Sequence, residues 1–346
     1  MAYTTIDKPS DYFETKLYTG NAGTQNITGL DFQPDWIWVK DRTGDEWHNF
    51  VDSVRGTTKY LFSNATNAEN TNSNRITSFN SDGFSLGNDV NTNFNSRNFA
   101  SWNWKAGTSV SGNTSGAGTA KAYSGSVNTD AGFSIIKYVG NGTADHTIPH
   151  HLGVKPKMVI TKNLDALIVW IVGHDSIGWD HILILNDTSA KADDVNAFND
   201  IAPTSSVWNV GGGNGNNFNN VNYVSYCFSD VKGYSKFGSY KGNGNADGTF
   251  IYTGFKPAFI ISKYTGAGQN WQMYDNKRNP HNFVDTVLFP NGNADEEAYD
   301  KYDFLSNGFK ARSTSTGTNV SGGEYIYIAF AENPFTSSTG TPVTAR

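Results

Sequence analysis

Three stretches of this chain pass through the same landmarks in the same order, and that repetition limits its possible folds more than any other feature. Each stretch opens on an aromatic strand that ends in Gly-Asn: Tyr18-Thr19-Gly20-Asn21, Tyr138-Val139-Gly140-Asn141 and Tyr240-Lys241-Gly242-Asn243. A proline follows, then an apolar run closed by lysine: Pro34 to Lys40, Pro156 to Lys162 and Pro257 to Lys263. Next come a tryptophan (Trp47, Trp170, Trp271) and an aspartate (Asp52, Asp175, Asp275). An alternating aromatic strand closes each stretch, beginning at Phe99, Tyr223 and Tyr325. The proline moves by 122 and then 101 positions and the closing aromatic by 124 and then 102, so independent landmarks travel together.

Short runs of Val, Ile, Trp and Tyr bounded by Gly, Asn and Pro are strand signals. A proline is tolerated where a strand begins, because its missing N–H costs least there. Turn pairs are dense, among them Asp82-Gly83, Asn141-Gly142, Asn243-Gly244 and Asn307-Gly308. The expected fold is all-β: three tandem small β-sandwich or jelly-roll units with short helical turns. One or two turns of helix are expected within 190–198 and 294–299. The boundaries are an N-terminal segment 1–11, a first unit 12–105, a Gly/Ser/Thr-rich linker 106–131, a second unit 132–231, a third unit 236–335 and a polar tail 336–346. The short joint between the second and third units makes them one rigid block.

Composition narrows the partners. Charged residues make up 17% of the 346, against roughly a quarter in ordinary domains, while 14% are aromatic, too many for a disordered chain. The net charge of -6 and the lack of a Lys/Arg cluster argue against nucleic acid. A single cysteine, Cys227, excludes an internal disulfide and a cysteine zinc site. No apolar run is long enough to insert in a membrane, and the first ten residues lack a secretory pattern. Synthesis in a bacterial cytoplasm is the expectation.

The run Tyr226 to Tyr240, continuing through Gly242-Asn243-Gly244 to Tyr252-Thr253-Gly254-Phe255-Lys256-Pro257, resembles repeated virion-associated, tail-fibre-like proteins of tailed phages of marine bacteria. The opening (Lys16 to Asn21 with Phe32-Gln33-Pro34-Asp35) and the ending (Tyr325 to Phe335 with Thr341 to Arg346) resemble them too. The resemblance implies a particle component, located in the virion, and carries no catalytic residue. It also implies a homo-oligomer, with a trimer as the guess, contacting other virion proteins. Alternating aromatic strands at sheet edges would need such covering.

Candidate chemistry is sparse. Gly83-Phe84-Ser85-Leu86-Gly87 matches the nucleophile-elbow pattern but lies before a strand, not between strand and helix. Five histidines (146, 150, 151, 174 and 181) gather in the second unit without zinc spacing; His174, Asp175 and His181 are the ones to test for a metal. No cofactor and no metal are expected. Asn243 to Gly248 resembles the start of a calcium loop, but the expected glutamate is replaced by Gly254. Asp52-Arg55 and Asp275-Arg278 are expected to form ion pairs; the second unit has no arginine at the matching place.

Repeat-locked tryptophans are expected in packing. Trp179 and Trp208 have no counterparts, and they sit beside Asp180, His181 and Asn209. A tryptophan face with hydrogen-bonding neighbours suits a sugar, so these five residues are the candidate binding site. The expected function is a non-enzymatic, surface-exposed structural protein of a tailed-phage virion, tail- or fibre-associated, serving assembly and host contact. A capsid decoration or head-fibre protein and a glycan-binding adhesin on the host surface are the alternatives. A polysaccharide depolymerase ranks last, because no carboxylate pair recurs.

Overall fold

In the computed structural model residues 3–343 are described; positions 1–2 of the N-terminal segment and 344–346 of the polar tail lie outside the described residues. The chain is all-β. Among the described residues its strands pair antiparallel in six sheets, and helix is limited to single turns such as Val90–Asn93 and Val195–Phe198. The second of these falls in the expected 190–198 stretch. The other expected turn, 294–299, is instead irregular chain at 294–296 running into strand Glu297–Leu305.

Each segment has a large sheet with the same strand order at its heart. The opening strand pairs with the closing strand, which pairs with the proline strand, which pairs with a fourth strand. In the first segment these are Phe13–Thr19, Asn98–Trp104, Trp36–Asp41 and Asn49–Asp52. The second uses Phe133–Val139, Asn222–Phe228, Met158–Asn163 and Ile171–His174. The third uses Ser235–Lys241, Glu324–Pro334, Phe255–Tyr264 and Gln272–Asp275. The aromatic closing strands are therefore paired on both sides. They are not edges, so the sheet-edge reason for expecting an oligomer is met within the chain.

Alternation decides what each sheet buries. Ile37 and Val39 pack with Ile27, Phe84 and Leu86 of a smaller sheet in front, closing a sandwich. Trp36 and Trp38, one residue out of phase, face the other way into a core shared by all three segments. That shared core also takes Met158, Ile160, Tyr226 and Phe228 from the second segment and Phe259, Ile261, Ile328 and Phe330 from the third. The rings stack across segments: Trp36 lies 4.4 Å from Tyr226, and Phe13 lies 4.9 Å from Phe330.

The segments close head to tail. Glu69 N–H donates to the Leu164 carbonyl (2.8 Å), Lys191 N–H to Thr265 (2.8 Å), and Glu296 N–H to Arg42 (2.9 Å). First meets second, second meets third, and third returns to first. Arg42 then clamps Glu296 with two bonds of 2.9 and 2.7 Å.

The expected linker is a correction. Residues 108–113 and 122–128 form a hairpin that extends the second segment's large sheet at its open edge. Most of its Gly, Ser and Thr residues face solvent, which is why the composition looks like a linker, while Gly125 and Ser126 are buried and Val127 packs in the second sandwich.

Candidate functional site

The recurring polar residues are committed to the scaffold. At the Gly-Asn turns, a Cβ on Gly20, Gly140 or Gly242 would meet a carbonyl oxygen at 2.1, 2.4 or 2.3 Å, so only glycine permits the approach. The asparagine that follows is held by a buried partner. Asn93 Oδ1 accepts from Asn21 N–H, Asn217 Oδ1 from Asn141 N–H, and Asn319 Oδ1 from Asn243 N–H, at 2.8, 2.9 and 3.0 Å. The three Nδ2 groups donate back to the side chains of Asn21, Asn141 and Asn243 and to nearby carbonyls. This clasp also uses the oxygens of the calcium-like loop: Asn243 Oδ1 accepts from Asn245 N–H, and Asp247 pairs with Lys310 at 2.7 Å.

The lysines that end the proline strands are fully buried. Lys40 donates to the Asp41 and Gly44 carbonyls, Lys162 to those of Asn163 and Thr66, and Lys263 to those of Tyr264 and Thr188. Thr66 and Thr188 belong to the preceding segment, so two of the lysines tie segments together. Burial pushes their ammonium groups down, to about 8 at Lys40, about 7 at Lys162 and about 8 at Lys263.

The aspartates need a correction in register. Trp36 pairs with Asp52 and Phe259 with Asp275, but the matching residue Met158 pairs with His174, not Asp175. By the same register the counterpart of Trp170 and Trp271 is His48. All three backbone N–H groups there donate to an asparagine Oδ1: Asn64, Asn186 and Asn291. Trp170 and Trp271 reach into the neighbouring segment, donating to the Phe62 and Ile184 carbonyls. Trp47 is half-exposed against Phe62.

The expected ion pairs are present and dry. Arg55 Nε lies 2.5 Å from Asp52, and Arg278 Nε lies 2.6 Å from Asp275, with all four side chains inaccessible. A neighbouring segment supplies a further donor to each carboxylate, Tyr226 Oη at 2.8 Å and Trp102 Nε1 at 3.1 Å. Glu69 and Glu296 meet the outer face of the guanidinium groups.

The five candidate binding residues do not form the expected stacking platform. Trp208 is 0% and Trp179 5% exposed. Both fill the second sandwich, where Trp179 packs edge-on to Phe198 and donates to Asp175. Asn209 is buried in the smaller sheet. Asp180 and His181 remain accessible and pair with each other at 2.9 Å. With Asp193 they are a group of three possible metal ligands, their atoms within 4.8 Å.

The other candidates disperse as well. His174 Nδ1 accepts from Ser176 N–H, and burial pushes the ring down to about 4. Asp175 is drawn outward; burial opposes its charge, but Lys155 and Lys157, each at 2.6 Å, hold the carboxyl below its usual range. His174, Asp175 and His181 thus have separate partners. Ser85 in the elbow-like motif is bonded to Asn26 and Asn80 on open hairpin strands. Burial pushes the Cys227 thiol up, away from nucleophilic use.

What the sequence does not reveal is a groove of about 920 Å³ on the third segment, lined by Lys256, Asn282, Ser306, Asn307, Glu332 and Asn333 among others. Lys256 and Glu332 pair at 2.8 Å, and Glu332 also accepts from Asn276. Phe283 and Tyr252, both about half-exposed, are not part of the lining but are close to it along the chain or through a backbone bond. Phe283 follows Asn282, and the residue after Tyr252, Thr253, donates its N–H to the Asn307 carbonyl.

The family model described as Domain of unknown function (DUF7483) matches residues 8–334. The chain belongs to that family. Its match spans all three segments, from just before the first opening strand to the end of the last closing strand. No curated protein and no solved structure matches the chain. Among the described residues, no helix is long and apolar enough to cross a membrane.

Proposed function

We propose that this DUF7483 protein is a non-enzymatic structural component of a tailed-phage virion, exposed on the particle and associated with its tail or fibres. One observation carries the non-catalytic half. The residues able to do chemistry that recur between segments (the clasp asparagines, the terminal lysines and the two Asp–Arg pairs) are all buried and consumed in bonds that hold the scaffold. Three copies of one unit is the reading that the common strand order and the matched bonds support. The phage half rests on the resemblance in the closing and joining strands.

A single chain whose own segments cover one another's aromatic faces suits a rigid block that presents loops and outer sheets. Other virion proteins are its proposed neighbours. Mass spectrometry of purified particles, followed by labelling with gold-tagged antibody, tests the assignment. Label on the tail is expected. Label on the head would move the protein to the decoration class, and absence from washed particles would remove the proposal.

A further inference from the structure

We infer that the groove of the third segment binds a neutral oligosaccharide, with the side chains of Ser306, Asn307 and Asn333 as partners for sugar hydroxyls and the rings of Phe283 and Tyr252, outside the lining itself, as stacking faces at its rim; the Asn282 amide is spent on the Phe304 backbone. Its size falls within the roughly 300–1,000 Å³ of small-ligand sites. Two smaller hollows of about 280 and 200 Å³ share Lys256 with it, so the depression continues along the sheet.

The lining selects the ligand class. Amides both donate and accept, as adjacent hydroxyls of a sugar ring do. The two charged groups on the wall, Lys256 and Glu332, cancel as an ion pair at 2.8 Å, leaving little attraction for an anion. Near Phe283, Arg312 is neutralised by Asp303 at 2.6 Å and by Asp247, whereas the Lys301 ammonium lies 5.4 Å over the ring and, among the described residues, is the one local cation an anionic ligand could use. Asn276 Oδ1, at the edge of the smaller hollows, is buried and has no hydrogen-bond partner. Half-exposed aromatic rings beside such a lining offer apolar faces to the C–H side of a sugar.

The groove is also absent from the shared scaffold. Its wall is made where the closing strand continues to Pro334 and the proline strand starts early at Phe255. The first and second closing strands stop at Trp104 and Phe228. On the first segment's smaller sheet the outward residues are Asn26, Ser78, Asn80 and Ser85, bonded to one another. Scaffold needs therefore do not explain the aromatic residues and the open amides of the third segment.

The test titrates the full chain with cellotetraose, maltotetraose, laminaritetraose and the tetramer of N-acetylglucosamine. A heparin-derived tetrasaccharide and an alginate tetramer serve as anionic comparisons, with calorimetry and saturation-transfer NMR as readouts. A neutral probe is expected to bind, with Kd at least tenfold weaker in both Phe283→Ala and Asn307→Ala. Asn26→Ala on the first segment should bind as the parent does, and melting curves verify that each variant is folded. Failure of every neutral probe, tighter binding of an anionic one, or binding indifferent to both groove substitutions overturns the inference. The assay uses purified protein, so its outcome is independent of where on a particle the protein sits.

Discussion

The junction between the first and second segments and the junction between the second and third solve one packing problem with opposite chemistry. At the former, Asp52, Arg55, Glu69 and Tyr226 form a dry charged cluster. At the latter, register places His174, Ile177, Lys191 and Ile328 in the same four roles. Every member has changed together. A buried charge that loses its partner costs far more than the pair contributes, whereas a whole cluster can be exchanged for apolar groups at little cost. The charged cluster therefore specifies a junction without being required for one.

The comparison is most directly broken by removing one partner. Asp52→Ala and Asp275→Ala each strand a buried arginine and are expected to cost about 3–5 kcal/mol in urea unfolding. Transplanting the residues of the other junction (Asp52→His, Arg55→Ile, Glu69→Lys and Tyr226→Ile together), which leaves no charge in the dry core of the cluster, should stay within about 2 kcal/mol of the parent. If the fourfold variant is as unstable as Asp52→Ala, the two junctions are not interchangeable solutions.

The buried lysines offer a contrast, because they recur at all three positions. Their folded pKa values are depressed, so the charged form is penalised on folding. Stability from these groups is fullest above the unfolded value near 10.4 and is lost as pH falls through about 8 to 7. Unfolding free energy should thus rise between pH 7 and about 9.5, by about 2–3 kcal/mol through Lys162. Lys162→Met should flatten that slope. Tyr138, Tyr226 and Tyr302 act in the other sense: burial raises them, so their contribution is lost at still higher pH.

Smaller effects sharpen the same contrast. Asn93→Ala, Asn217→Ala and Asn319→Ala should each cost about 2 kcal/mol, since each unpairs buried backbone groups. Similar losses in all three would mark the clasp as common to the segments, unlike the ion cluster. Asp175→Ala should cost about 1–2 kcal/mol, less than Asp52→Ala, because its lysine pairs are partly exposed and the Trp179 indole N–H is the buried group that loses a partner. A loss as large as that of Asp52→Ala would reverse the register assignment.

Much of the framework was legible in the sequence because its signals are local. Gly-Asn turns, strand-opening prolines and alternating aromatics act within a few residues, and they lead to the all-β fold. The spacing from Trp170 to Asp175 matches that from Trp47 to Asp52, yet neither Trp47 nor Asp175 occupies the interior position. His48 and His174 do, and only cross-strand pairing reveals it. Trp179 and Trp208 look available for a ligand because they have no counterparts. In fact they fill the second sandwich, together with Phe198 and Ile148. The groove is not legible in the sequence because its walls come from five stretches, around residues 256, 282, 306, 332 and 343, that only the folded chain brings together.

The ring closure sets a timetable. Arg42 must wait for Glu296, 254 residues later, before its carboxylate partner exists. At about 5–20 residues per second, that is a delay of roughly 13–50 s on the ribosome. Throughout it, Trp36, Trp38 and Trp102 have only part of their eventual cover. Nascent chains stalled before residue 296 should therefore be the forms that recruit chaperones, and release of the finished chain the moment when that dependence ends.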